Sequence, residues 1–180
     1  SDLYWRGIEP FWGLPFGSFC YVESAGIGGV TFEVMVGSGH AEKIGHNHLG
    51  LVVENTQATI DFYSKTLGLG EFRTGEFPMD RAFYRDERIS TSFRASFCDI
   101  GECELRIYQV LEGGGPLALA LEGRGEGMQH FGVGVRDLDA ALEGFSKRGI
   151  MPTWLCPETR TAHLDTTSIR GMAFSIEERA

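Results

Sequence analysis

The feature that most constrains this chain is that it repeats itself. Residues 6–36 align without a gap onto residues 148–178, an offset of 142. Arg6, Gly7, Ile8, Pro10, Trp12, Pro15, Ile27, Gly29 and Phe32 meet Arg148, Gly149, Ile150, Pro152, Trp154, Pro157, Ile169, Gly171 and Phe174. A second match runs at an offset of 82, where Gly45, His48, Gly50, Val53, Ala58, Ser64 and Lys65 meet Gly127, His130, Gly132, Val135, Ala140, Ser146 and Lys147. A repeat fixes the architecture before any local pattern does, because each copy must bury the same faces. The chain reads as two full units and the back half of a third.

The middle unit is the most legible. His46 to Val53 reads as a strand, and Asn55 or Thr56 can cap a helix whose apolar residues are Ile60, Phe62, Tyr63 and Leu67. Gly68 and Gly70 end it, and Glu71 to Gly75 can form the next strand. The charged, mixed stretch 77–90 reads as a long loop over a site or an edge. Ser92 to Asp99 and Glu104 to Val110 read as a hairpin. The last unit repeats this order. Its first strand is Gln129 to Val135, its helix Leu138 to Lys147 capped by Asp137, and its later strands Met151 to Leu155, Thr161 to Asp165 and Met172 to Ile176. The glycine-rich segment 111–125 links the two, and Gly113-Gly114-Gly115-Pro116 lacks the Lys-Ser/Thr of a phosphate loop. By the larger offset, Pro10 to Leu14, Phe19 to Glu23 and Val30 to Val36 are the last three strands of a preceding unit. The fold class is therefore α+β, built of tandem strand-helix-strand-strand-strand (βαβββ) modules forming curved open sheets. The expected boundaries are 1–40 for the half module, 44–113 for a complete module and 126–180 for the module that pairs with it.

Composition narrows the function classes. A net charge of −9 argues against nucleic-acid binding, which rests on basic surface. No apolar run has the length of a membrane span. Cys20, Cys98, Cys103 and Cys156 show neither Cys-x-x-Cys spacing nor a disulfide framework, so a reduced, cytoplasmic protein is expected. The partner expected is a small-molecule ligand, with no nucleic acid and no membrane. Half a unit leaves an open sheet edge. Its completion is expected either from a second copy, as a homodimer, or from a preceding portion of a longer four-module protein.

Such units, used in pairs with a histidine in each first strand, resemble the vicinal oxygen chelate superfamily, which includes glyoxalase I, methylmalonyl-CoA epimerase, extradiol dioxygenases and bleomycin-resistance proteins. The stretches that carry the resemblance are 48–53, 60–69, 105–113, 125–133 and 137–142. The resemblance implies a cup closed by two modules around a divalent transition metal (Fe, Mn, Zn, Ni or Co), held by one His from each first strand and one carboxylate or Gln from each fourth strand. Imidazole and carboxylate suit such ions, and open positions would take two adjacent substrate oxygens. His48 and His130 stand at the two histidine positions. The carboxylate positions hold Arg106 and Ser175 instead, while Glu33 stands where Ser175 does in the half unit. The expected metal ligands are thus His48, His130 and Glu33. Glu33 and His163 are candidate catalytic groups, and Arg106 and Tyr108 candidate substrate-binding groups, Arg106 for a carboxylate or enolate. Glu104 and Glu177 lie two residues from the carboxylate positions and read as solvated strand ends.

Two function classes follow. One is a metal-dependent enzyme of lyase, isomerase/epimerase or dioxygenase type acting on a small oxygen-rich molecule. The other is a metal-free small-molecule or drug-binding protein of the same fold. The enzyme is preferred because two His and one Glu stand at ligand positions. A dioxygenase fits less well, because the resemblance puts its iron in the later pair, which lacks the carboxylate.

Overall fold

A computed structural model describes residues 10–13, 19–22, 32–35, 47–101, 103–166 and 173–179, the first three segments as backbone pairing only. Those segments are strands β1 (Pro10–Gly13), β2 (Phe19–Val22) and β3 (Phe32–Met35) of an antiparallel sheet. Next come β4 (Asn47–Val52), α1 (Thr56–Leu67), β5 (Arg73–Tyr84), β6 (Glu87–Ile100) and β7 (Cys103–Gly113). Then follow α2 (Pro116–Arg124), β8 (Gly127–Val135), α3 (Leu138–Ser146), β9 (Pro152–Cys156), β10 (Thr161–Leu164) and β11 (Ala173–Glu178). His46 lies outside the described residues.

The repeat is visible in strand register. Pro10 faces Val22, Trp12 faces Tyr21 and Gly13 faces Cys20, while Pro152 faces Leu164, Trp154 faces His163 and Leu155 faces Ala162. Both pairs carry an irregularity at the same place, just after the proline. Tyr21 faces Glu33 as His163 faces Ser175. The sequence offset is therefore also a backbone equivalence, with Glu33 at the register position of Ser175.

Strands β4 to β11 form one sheet in the order β10-β11-β8-β4-β7-β6-β5-β9. Each first strand pairs in parallel with the last strand of its own unit, β4 with β7 and β8 with β11. The two first strands meet antiparallel. An open sheet was the expectation, but β5 also pairs with β9 through Phe83–Leu155 and Tyr84–Trp154, and closes the sheet into a barrel. Closure removes the sheet edges that an open cup would expose.

Alternation along the strands sorts side chains to the two faces. Leu51, Val53, Leu105 and Ile107 pack outward with Tyr63 of α1. Ala162, Leu164 and Ile176 pack outward with Leu138 of α3. Inside the barrel a third cluster joins Met79, Ala82, Phe93, Ala95, Tyr108, Trp154 and Cys156. The helix caps are those the sequence indicates: Asn55 accepts from Ala58 N–H, and Asp137 from Ala140 N–H.

Two expectations are corrected. The stretch 77–90 is not a loop but the core of a long hairpin, because Phe77 and Met79 face Phe93 and Thr91 across the ladder while Asp80, Arg81, Glu87 and Arg88 are exposed to water. Its turn is the two residues Arg85 and Asp86, both left-handed (φ 47° and 67°). The linker 111–125 is half helix. Gly113 turns the chain at φ 81°, where a Cβ would come within 2.2 Å of the Ser90 carbonyl oxygen, and Pro116 opens α2.

Candidate functional site

The inward faces of the barrel line a cavity of about 310 Å³. One wall is apolar and aromatic: Phe77 and Met79 from β5, Phe93 and Phe97 from β6, Trp154 from β9, and Leu117 from α2. The polar part is built by His48 of β4, Glu104, Arg106 and Tyr108 of β7, His130 of β8, His163 of β10, and Ser175 and Glu177 of β11, with Arg179 just beyond.

The two histidines are placed by a reciprocal device. His48 lies opposite Gly132 and His130 opposite Gly50 across the β4–β8 ladder. A Cβ on Gly132 would sit 2.0 Å from the His48 ring, and one on Gly50 would sit 2.0 Å from the His130 ring. Each imidazole thus occupies the space of the side chain the other strand omits. The rings are edge-to-face at 5.2 Å, and His130 lies 4.7 Å from His163. His163 in turn lies 4.9 Å from Trp154. His130 Nδ1 pairs with the Gln129 amide oxygen.

All three imidazoles are held neutral. Burial, then Arg106, His163 and Arg179, push His48 down to about 3. Burial pushes His163 down to about 4. His130 is lowered well below its ordinary value by burial, with His163, His48 and Arg106 adding to it. Tyr108 is raised, chiefly by burial.

The candidate substrate residue Arg106 is engaged within the protein. Its Nε donates to Glu104 Oε1 at 2.6 Å and its Nη1 reaches Glu177 Oε2 at 2.8 Å. Its guanidinium carbon stands 5.8 Å from the Phe97 ring centre. Burial works against the charge, but Tyr108, Glu177 and Glu104 outweigh it and raise the pKa. Glu177 also approaches His48 Nδ1 at 4.0 Å and Arg179 at 3.3 Å. Glu104 and Glu177 are therefore not solvated strand ends, because a buried guanidinium draws both inward.

The register also locates the positions where carboxylates were expected. Arg106 pairs with Gly50 and Ser175 with Gly132, equivalent places in the two units. The side chain of Glu33 lies outside the described residues, and its expected metal and catalytic roles lie outside them with it. Among the described residues, no three His, Cys, Asp or Glu side chains converge to hold a metal ion. The donor chemistry does not fit one either: Glu104 and Glu177, the carboxylates beside His48, are taken up by the Arg106 guanidinium, a fixed positive charge that a dication in their place would face directly. His48, His130, His163, Arg106 and Tyr108 are brought together. The aromatic wall was hidden in the sequence by the loop reading of 77–90, although Phe77-x-Met79 and Phe93-x-x-x-Phe97 carry a strand period. Arg179 gave no sequence signal.

Among the described residues no helix is long and apolar enough to cross a membrane. Among curated proteins, none matches the sequence. Among solved structures, a hypothetical protein of Bacillus halodurans superposes with a TM-score of 0.56 at 21% identity, covering 74% of this chain and 95% of that one. Methylmalonyl-CoA epimerase from Mycobacterium tuberculosis gives a TM-score of 0.52 at 19% identity, with coverage of 81% and 93%. A Streptomyces coelicolor methylmalonyl-CoA epimerase in complex with 2-nitronate-propionyl-CoA gives a TM-score of 0.54 at 19% identity, with coverage of 77% and 99%. At these identities the likeness is one of fold. The family model for the glyoxalase/bleomycin resistance protein/dioxygenase superfamily matches residues 47–166, the stretch that builds most of the barrel. By that match and by the paired units around one cavity, the chain belongs to the glyoxalase/bleomycin resistance protein/dioxygenase superfamily.

Proposed function

We propose that this chain is a small-molecule-binding protein of the superfamily whose barrel cavity works without a metal. The observation that carries this reading is Arg106 held between Glu104 and Glu177 beside His48. A fixed, always-charged guanidinium supplies the cavity's permanent cation, and its two carboxylates are thereby withdrawn from metal ligation. His48, His130 and His163 are neutral and present donors or acceptors. Trp154 belongs to the aromatic wall on which the body of a ligand packs, and the Tyr108 ring joins the polar part to it by its edge-on contact with Phe93. A concave, mostly apolar site with a few convergent polar groups is the usual form of a ligand pocket.

Metal analysis of the purified full chain tests this, together with thermal unfolding in the presence and absence of a chelator. The expected result is no stoichiometric transition metal and an unchanged midpoint. A bound equivalent of metal that disappears in both His48→Ala and His130→Ala would overturn the reading and restore the metalloenzyme. Metal lost on Glu33→Ala but kept on His130→Ala would place a metal site with the N-terminal strands instead.

A second reading, a proton-transferring enzyme of isomerase type, is favoured by one feature: the Glu177 carboxylate 4.0 Å from His48 Nδ1 at the cavity wall. It requires deuterium incorporation from heavy water into a bound carbonyl compound, abolished by His48→Gln. Binding without exchange leaves the first reading standing.

A further inference from the structure

We infer that the ligand of this cavity is an uncharged aromatic compound carrying a hydroxyl group, seated with that group on His48, His163 and Ser175. This rests on the metal-free reading above and names the ligand class of the same site.

The charge balance comes first. The charged side chains lining the cavity are Arg106, Arg179, Glu104 and Glu177, and ion pairs connect them: Arg106 with both carboxylates and Arg179 with Glu177. Glu104 is also paired with Arg73, and Arg73 with Asp99, so among the described residues the formal charges of this network cancel, and burying an unpaired anion or cation beside balanced pairs is strongly disfavoured. Arg106, a candidate from sequence for a ligand carboxylate or enolate, is already held by the protein's own carboxylates.

Next are the open hydrogen-bonding positions. His48 Nε2, His163 Nδ1 and Ser175 Oγ are buried and have no hydrogen-bond partner among the described residues. They stand in one row across adjacent strands: His163 faces Ser175, Ser175 faces Gly132, and Gly132 faces His48. Buried polar groups are ordinarily satisfied, so three unsatisfied ones in a row on a cavity wall point to a partner that enters from outside. Two neutral imidazoles and a hydroxyl can each donate or accept, and a ligand hydroxyl, which does both, matches them.

Finally, the opposite wall selects the body. Phe77 and Phe93 stack at 6.0 Å, Phe77 meets Phe97 edge-on at 5.8 Å, and Phe93 meets Tyr108 edge-on at 5.4 Å. Such a cage favours a flat aromatic ring in offset or edge contact.

The test is calorimetric titration of the full chain at neutral pH with three probes of one shape: 2-naphthol, 2-naphthoate and naphthalene. Naphthol is expected to bind about ten-fold tighter than either, the worth of roughly one good hydrogen bond. Ser175→Ala, which removes one oxygen and adds no volume, should narrow the gap between naphthol and naphthalene without changing naphthalene binding. His163→Gln gives a second, independent arm. Tighter binding of naphthoate, or equal binding of naphthol and naphthalene, overturns the inference while leaving a working pocket. Binding of none of the three overturns both the inference and the pocket reading beneath it.

Discussion

At the residue scale the decisive partners are two glycines. Gly50 and Gly132 are ordinary strand glycines by sequence, yet each leaves the space that the opposing imidazole fills. Adding a methyl there would drive it into a ring that is almost fully buried, since His130 is 2% exposed and His48 3%. Overpacking of this kind costs about 1–3 kcal/mol. Gly132→Ala and Gly50→Ala are expected to lower the urea midpoint accordingly and, by displacing the rings, to weaken ligand binding; a neutral effect of both on stability would show that the rings are not confined. The sequence showed the two His-x-Gly copies at an offset of 82 but not their purpose. That purpose depends on the antiparallel register of β4 and β8, which places each histidine opposite the other's glycine. The inward placement of Glu104 and Glu177 is hidden from the sequence for the same kind of reason, because the guanidinium that recruits Glu177 comes from another strand and Glu104 meets it only through the side-chain alignment within β7.

At the element scale, the β5–β6 hairpin is the element whose local composition least resembles its structure. Its charges suggested a loop, but a strand facing water on one side alternates charged and apolar residues, and a mixed composition is the result. The turn contributes to the difficulty: Arg85 and Asp86 both adopt positive φ, a geometry that normally calls for Asn-Gly. Non-glycine residues in the left-handed region cost about 1–2 kcal/mol each. Replacing Arg85-Asp86 by Asn-Gly is therefore expected to stabilise the protein by about 1 kcal/mol, seen as a raised thermal midpoint. A drop would mean that the turn residues make contacts worth more than the strain. Helices α1 and α3 were legible because their signals are local, an Asn or Asp cap followed by a 3.6-residue apolar stripe. Helix α2 was not, since it begins at Pro116 after three glycines and has no side-chain cap.

At the scale of the whole molecule, three neutral histidines from β4, β8 and β10 are buried together, and this couples both halves of the barrel to pH. The folded state holds His48 near 3 and His163 near 4, with His130 also depressed, whereas an unfolded chain protonates them near 6.5. Below that value the unfolded state binds more protons, so stability falls as pH drops from about 6.5 towards 4, by about 1.4 kcal/mol per pH unit for each histidine involved. Denaturant unfolding followed from pH 7.5 to 4.5 should show this decline. His163→Phe, if it folds, should make it shallower, and a flat profile in the wild type would contradict neutral burial of the set. The amino-acid sequence by itself determined the repeat, the strand-helix-strand-strand-strand order, the caps and the placement of His48 and His130 in equivalent strands, because all of these are written in local pattern and self-similarity. Only the tertiary structure decided that the sheet closes, that Arg106 is neutralised by Glu104 and Glu177, and that His48, His163 and Ser175 stand in a row. Those are meetings between strands distant in the chain, set by register and by the charge balance of a buried space.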